Sequence, residues 1–121
     1  QMIKPFRSSV PRRYSNNSHD AAFVDFVRND PLQAQILPTA WVGALAHWIP
    51  YIEQTPPSAH SPIIVQGEAD MTVDWQHNLS VLTDKFHQPK ILLLPQARHH
   101  LANEQAVWRE QIFSFLQAQL P

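Results

Sequence analysis

The fold is decided by the stretch SPIIVQGEADMTVDWQHNLSVLTDKFHQPKILLLPQARHHLANE, which spans residues 61–104. Its two short apolar runs, at 62–66 and 90–94, are typical of strands that are buried on both faces. Between them, residues 73–86 carry large apolar side chains at helical spacing and predict a helix. Strand, helix and strand in this order predict an α/β arrangement in which two parallel strands are joined by a right-handed crossover.

The part of the chain before this stretch predicts a loop over residues 1–18 and then two helices. The first helix covers 19–29 and ends at Asp30, because the residue before a proline is pushed out of the α region. The second helix starts at Thr39, and Pro50 is expected to kink it or end it early. Its apolar residues form one stripe, which favours core packing over contact with a ligand: Trp41, Leu45, Trp48, Ile49 and Ile52.

A last helix is predicted over residues 103–120, with its apolar face turned inward: Trp108, Ile112, Phe115 and Leu116. Two parallel strands alone make a poor sheet, because their outer edges leave backbone hydrogen-bonding groups unpaired. We therefore expect further strands from elsewhere. They would come from an N-terminal half outside these residues, or from self-association of the chain through its sheet edge.

Composition excludes several classes of protein. Nine basic and ten acidic residues give a net charge of −1, which disfavours a nucleic-acid partner. The chain has no cysteine, no apolar run long enough to cross a bilayer and no signal peptide, so a cytoplasmic or membrane-peripheral location is favoured. Two glycines against eleven prolines, and a start at Gln1, are expected of a piece of a longer protein.

Each predicted strand runs into a polar turn with a titratable side chain. Asp70 follows the first strand and His99 follows the second. Since the carboxyl ends of parallel strands meet at one edge of a sheet, we expect these two side chains to lie close together. A carboxylate there would accept Nδ1–H of the imidazole, fix its tautomer and stabilise the imidazolium. The pattern predicts the acid and the base of a hydrolytic triad.

Taken singly, Asp70 is typical of a turn and His99 of a surface. The pair is more specific, because acid before histidine is the order that α/β hydrolases use, with the serine earlier in the chain. No GxSxG turn occurs in these 121 residues. None of the serines in the predicted helices, before the first strand or in the early loop is predicted as the nucleophile: Ser8, Ser9, Ser61, Ser80 and Ser114.

Three segments resemble a known family. Residues 67–74 (GEADMTVD) resemble its GxxDxxVD turn, and residues 97–104 (ARHHLANE) resemble the GARHEL…NE segment that carries its catalytic histidine. DPL at residues 30–32 resembles part of its cap. Together they are similar to the monoacylglycerol lipase and lysophospholipase group of α/β hydrolases, the serine aminopeptidase S33-like branch.

The resemblance implies a C-terminal portion of an α/β hydrolase. Residues 1–60 would be a helical cap region and linker, and residues 61–121 the last strand–helix–strand–helix unit of the core. The implied activity is hydrolysis of a lipid or small ester, without a cofactor, and peptidase or haloperoxidase chemistry stays open because relatives of those kinds share the acid–histidine spacing. By position, Asp70 matches the triad acid and His99 the base.

Other positions follow from the same resemblance. His100 stands where the family often has Glu, and Gln96 replaces a common Gly, which is expected to stiffen that turn. The apolar lining of the cap would receive an acyl chain. The candidate substrate contacts are Trp41, Trp48 and Met71.

The sequence also bears on two other functions, a metal site and a binding module. A metal site is disfavoured although seven histidines are present, because His99 and His100 are adjacent and point apart, and His77 and His87 lack ligand spacing on a helix. A non-catalytic dimerising or binding module derived from an α/β hydrolase stays open.

Overall fold

The computed structural model describes residues 8–120, and the chain divides by its internal contacts into two compact units. The first unit comprises Gln1–Tyr14 and Asp30–Thr55, and the second comprises Ser15–Asn29 and Pro56–Pro121. The elements in chain order are β1 (Ser9–Pro11), α1 (Ala21–Asn29), β2 (Ile36–Pro38), α2 (Thr39–Gln54), β3 (Ile63–Gly67), α3 (Trp75–Lys85), β4 (Lys90–Leu94), a short 3-10 helix (Leu101–Asn103) and α4 (Ala106–Gln119).

The first unit contains a small antiparallel pair that the sequence did not predict. β1 pairs with β2, from Ser9 opposite Pro38 to Pro11 opposite Ile36. The prediction of a loop over residues 1–18 is therefore wrong at Ser9–Pro11. Residues 1–7 of that predicted loop lie outside the described residues. Strands of three residues that contain proline are too short to show an alternating pattern.

Helix α2 does not end early at Pro50 but continues to Gln54, so a kink is what stays predicted for this proline. The surface of the helix is exposed, and water can reach the carbonyl group that proline leaves without a donor. Its apolar stripe is not core: Trp41 and Trp48 are 55% and 56% exposed. No helix within residues 8–120 is long and apolar enough to cross a membrane.

The second unit contains a parallel two-stranded sheet with flanking helices, an α/β arrangement. β3 and β4 pair in parallel, from Ile63 opposite Lys90 to Gly67 opposite Leu94. Both strands lie within one residue of their predicted positions, and α3 connects them as predicted. The unit also includes α1, which the sequence analysis placed in the cap region.

The core of the second unit is small and lies where β4 meets α4. Leu94 and Ala97 are fully buried and Ile112 is 8% exposed. Partly buried apolar residues pack against these three: Val65, Leu92, Leu101, Trp108 and Leu116. The predicted inward face of α4 is thus confirmed at Trp108, Ile112 and Leu116. Ile63 and Leu93 on the sheet are each 40% exposed.

The end of β3 packs tightly against the loop that follows β4. A Cβ atom on Gly67 would meet the backbone carbonyl oxygens of Ala97 and Arg98, at 2.7 Å from the latter. Glycine is therefore required here by the close approach of two backbones. The contact sets the distance between the turn that bears Asp70 and the loop that bears His99.

We expect Gly67→Ala to lower the free energy of unfolding by about 2–3 kcal/mol, because the added methyl group meets backbone atoms that cannot move aside cheaply. Urea unfolding of the full-length protein would measure the change. Gly43→Ala is the matched control, since a Cβ atom there meets nothing within 4 Å. Within helix α2 that change is expected to stabilise by about 0.5–1 kcal/mol. Equal losses from both variants would contradict the close-approach explanation.

Candidate acid–histidine site

Asp70 is held by the turn that ends β3. Backbone N–H groups of this turn donate to the last residue of β4, from Glu68 to Leu94 O at 3.1 Å, and to the loop after β4, from Ala69 to Ala97 O at 3.0 Å. Asp70 N–H donates back to Gly67 O at 3.3 Å. The Asp70 residue is 6% exposed, so its carboxylate is fixed in place and largely withdrawn from water.

Both carboxylate oxygens of Asp70 have hydrogen-bond donors. Oδ1 accepts from the backbone N–H of Thr72 at 2.8 Å and of Val73 at 3.4 Å. Oδ2 lies 2.8 Å from His99 Nδ1. Burial alone would raise the pKa of Asp70, but the bond with His99 and the two backbone N–H groups outweigh it and hold that pKa below its usual value. The group is therefore an anion at neutral pH.

The structure brings Asp70 and His99 together, at the carboxyl ends of two neighbouring parallel strands. An ionised carboxylate only accepts hydrogen bonds, so Nδ1 of the imidazole must donate. That tautomer leaves the lone pair on Nε2. With 34% of the His99 side chain exposed, the imidazole is partly accessible while its partner carboxylate is only 4% exposed. The arrangement can accept a proton at Nε2 and stabilise the resulting cation.

The His100 side chain packs against helix α1 and not against Asp70. Its ring meets Phe23 of α1 edge-on, at 5.3 Å between centroids, and its backbone N–H donates to Asn17 O at 2.8 Å. Burial lowers the pKa of His100, and the neighbouring His99 lowers it further, while Asp70 acts in the opposite direction. The geometry therefore pairs the acid with His99, the histidine that the sequence favoured as base.

The turn before His99 has an unusual backbone. Ala97 N–H donates to Leu94 O at 3.3 Å, and Gln96 between them has a φ of 63°. Proline at the second position and positive φ at the third are typical of a type II turn, where glycine is the usual third residue. Gln96 thus occupies a left-handed conformation that costs a non-glycine residue free energy.

Sequence reasoning missed a second buried carboxylate beside the site. Glu104 has no exposed surface, and it accepts hydrogen bonds from the segment Asn17–Asp20 and from Arg98, the residue before His99. Glu104 stands within the quoted ARHHLANE segment, but its burial gave no signal in the pattern. Ser18 and Asp20 could have been found from the sequence, because short polar residues before an apolar helical run are typical of a helix N-cap.

The remaining predicted site residues are Trp41, Trp48 and Met71. Trp41 and Trp48 belong to the first unit, on α2. Met71 directly follows Asp70 and is 88% exposed, so its side chain makes little contact within the second unit. Their role as substrate contacts stays a prediction.

Three of the serines set aside on sequence grounds lie where they were expected, whereas Ser9, which was expected in a loop, lies in β1. Ser80 lies within α3, Ser114 within α4, and Ser61 just before β3. Among residues 8–120, no serine hydroxyl is hydrogen-bonded to His99, and no three His, Asp or Glu side chains converge in a way that would hold a metal ion. No family model, curated protein or solved structure matches this chain.

Proposed function

We propose that this chain supplies the acid and the base of a serine carboxylic-ester hydrolase of the lysophospholipase or monoacylglycerol lipase type. Asp70 is the orienting acid and His99 the general base. The observation that carries the proposal is the 2.8 Å contact between Asp70 Oδ2 and His99 Nδ1 at the ends of two parallel strands. The chain is then the C-terminal portion of an α/β hydrolase, with residues 1–60 as cap and linker and residues 61–121 as core.

The two ring nitrogens of His99 have different roles in the proposed reaction. His99 Nε2 takes the proton of a serine hydroxyl from the N-terminal half, while that oxygen bonds to the ester carbonyl carbon. The imidazolium, held by Asp70, then gives its proton to the alcohol oxygen as the carbon–oxygen bond breaks. Water attacks the acyl-enzyme by the same route, which releases the acid and restores the serine. The pair needs no cofactor for these steps.

The two-stranded sheet supports the idea that more chain completes the fold. β3 and β4 pair only with each other among the described residues, so each has an outer edge open to a further strand. Exposed apolar side chains, Ile63 and Leu93, lie on these same strands. Strands from an N-terminal half would cover these groups and would also bring the serine.

The apolar surface of α2 supports an apolar substrate. Trp41, Trp48 and Tyr51 are each more than half exposed on a helix with one acidic residue, Glu53. Aromatic side chains of this kind suit contact with an acyl chain or with the lipid interface. In the proposal this helix is part of the cap, Met71 is a further candidate contact, and the protein works in the cytoplasm or at the membrane periphery.

A fluorophosphonate probe tests the proposal directly. In the full-length protein we expect one covalent adduct, seen by intact-mass analysis, on a serine that precedes residue 1 of this chain in a GxSxG turn. Adduct formation requires an activated serine, so it should fall strongly in a His99→Ala variant. Hydrolysis of monoacylglycerol and lysophospholipid would then identify the ester.

The absence of both a probe adduct and ester turnover in the full-length protein would contradict the proposed enzyme activity. The open edges of the two-stranded sheet then favour the second candidate, a non-catalytic module that dimerises or binds a partner through those edges. That candidate predicts a dimer in sedimentation analysis, which proline substitutions on β3 or β4 would disrupt.

A further inference from the structure

Glu104 is a fully buried carboxylate with an unusual number of hydrogen-bond donors. Oε1 accepts from Arg98 N–H at 2.8 Å and lies 3.1 Å from His19 Nδ1. Oε2 accepts from His19 N–H at 2.8 Å and from Gln105 N–H at 3.3 Å, and it lies 3.4 Å from Ser18 Oγ. Three of these donors are backbone groups, so the carboxylate fixes main chain on both sides of the site.

These bonds keep Glu104 ionised. Burial by itself would raise the pKa of Glu104, but the backbone N–H groups of His19 and Arg98 and the His19 side chain hold it below the usual value of 4.5. Folding therefore gains stability from this group above that usual value, and the gain is lost as the pH falls through the lower pKa of the folded state.

The segment Asn17–Asp20, which we call the strap, reaches both halves of the acid–histidine pair. On the histidine side, Ser18 Oγ donates to Asn103 O at 2.7 Å, and Arg98 Nη1 donates to Ser18 O at 3.1 Å. On the acid side, Thr72 Oγ1 lies 2.9 Å from Asn17 Oδ1, and Thr72 N–H is itself bonded to Asp70. The strap is thus hydrogen-bonded to the turn that carries Asp70 and to the loop that carries His99.

The His19 side chain belongs to this anchor and not to a second reactive pair. Its ring stacks on Trp108 of α4, with centroids 4.8 Å apart and planes inclined by 25°. Gln105 Nε2 also donates to the His19 carbonyl oxygen at 3.0 Å. Stacking and backbone bonds of this kind hold the strap against α4.

We propose that Glu104 is a positioning residue, which clamps the strap to the backbone at Arg98 and so keeps His99 Nδ1 within hydrogen-bond reach of Asp70. It does not touch the reacting atoms. A small shift of the loop would move the imidazole off its partner, and displacements of about 1 Å at a catalytic group can cost on the order of 100-fold in rate. This inference rests on the proposed hydrolase for its kinetic consequence but not for its structural one.

Glu104→Gln in the full-length protein tests the inference, because glutamine keeps the shape of the side chain but adds an N–H₂ group that faces donors. We expect kcat for ester hydrolysis to fall about 10- to 100-fold with KM changed less than about three-fold. The downfield proton resonance of His99 Nδ1–H bonded to Asp70, assigned by its absence in His99→Ala, should weaken or shift. Glu110→Gln, the same change at an exposed position of α4, should alter neither quantity.

Ser18→Ala keeps the inference testable if the glutamine variant does not fold. It removes the hydroxyl that joins Asn103 O, Asp20 N–H and Glu104 while leaving the buried charge. A fall in kcat of about 3- to 10-fold is expected, with the same change in the resonance. A folded variant of either kind with unchanged kcat and an unchanged His99 resonance would overturn the positioning role. If the wild-type protein hydrolyses no ester, the His99 resonance alone still tests the positioning role. A failure of the proposed hydrolase can therefore be told from a failure of the role of Glu104.

Discussion

Replacement of His99 by alanine in the full-length protein is expected to lower kcat for ester hydrolysis by about 10⁴-fold or more, because His99 is the group that takes the serine proton in the proposed reaction. His99 is the histidine bonded to Asp70, and its other nitrogen carries the lone pair. KM should change little, since the imidazole contributes to the transition state more than to binding of the ester. Steady-state kinetics with a chromogenic ester, together with circular dichroism to verify the fold, would measure the effect.

His100→Ala is the matched control for this experiment. The His100 ring packs against Phe23, and its backbone N–H bond to Asn17 survives the substitution. We expect kcat to stay within about ten-fold of the wild-type value, because the substitution removes two edge-on ring contacts, with Phe23 and with His99, but leaves the bond between His99 and Asp70. An equal loss of kcat in both variants would show that the base has been assigned to the wrong histidine.

The order of strands and helices in the second unit was predictable, whereas the predicted burial of both strand faces is wrong, since Ile63 and Leu93 are each 40% exposed. The apolar runs of β3 and β4 indicated buried strands, and parallel pairing placed the ends of both strands at one edge. Once that edge was known, Asp70 and His99 had to lie close together. Their positions could therefore be predicted from strand ends alone, and so could the hydrogen bond that joins them, because a carboxylate beside an imidazole accepts its Nδ1–H.

Helix α2 and Glu104 show why the rest could not be predicted. An apolar stripe at helical spacing indicates a face that avoids water, but it does not tell which surface covers that face, and Trp41 and Trp48 are exposed here. Glu104 presents the opposite case. A glutamate is usually at the surface, and its burial depends on donors from Arg98 and from His19, which is 85 residues away in sequence. Neither environment is encoded by local periodicity.

Asp70→Asn is expected to lower kcat by about 10⁴-fold while leaving the fold intact, because asparagine matches aspartate in shape but not in hydrogen-bonding character. The amide oxygen of the new side chain could still accept the Thr72 and Val73 N–H groups, which would turn its N–H₂ group toward His99 Nδ1. Nδ1 would then have to accept, so the proton would move to Nε2. An imidazole in that tautomer cannot take a proton from serine. The rates of ester hydrolysis and of fluorophosphonate labelling should therefore fall together.

Asp74→Asn provides the comparison that isolates this tautomer effect. Asp74 caps α3 by accepting the His77 N–H at 3.1 Å, and asparagine caps helices about as well as aspartate. The control variant should keep both its stability and its kcat. If Asp70→Asn were as active as Asp74→Asn, the carboxylate of Asp70 would be only a turn former that accepts backbone N–H groups. A large loss confined to Asp70→Asn would instead mean that its charge acts through the imidazole, since the two variants make the same chemical change at positions four residues apart.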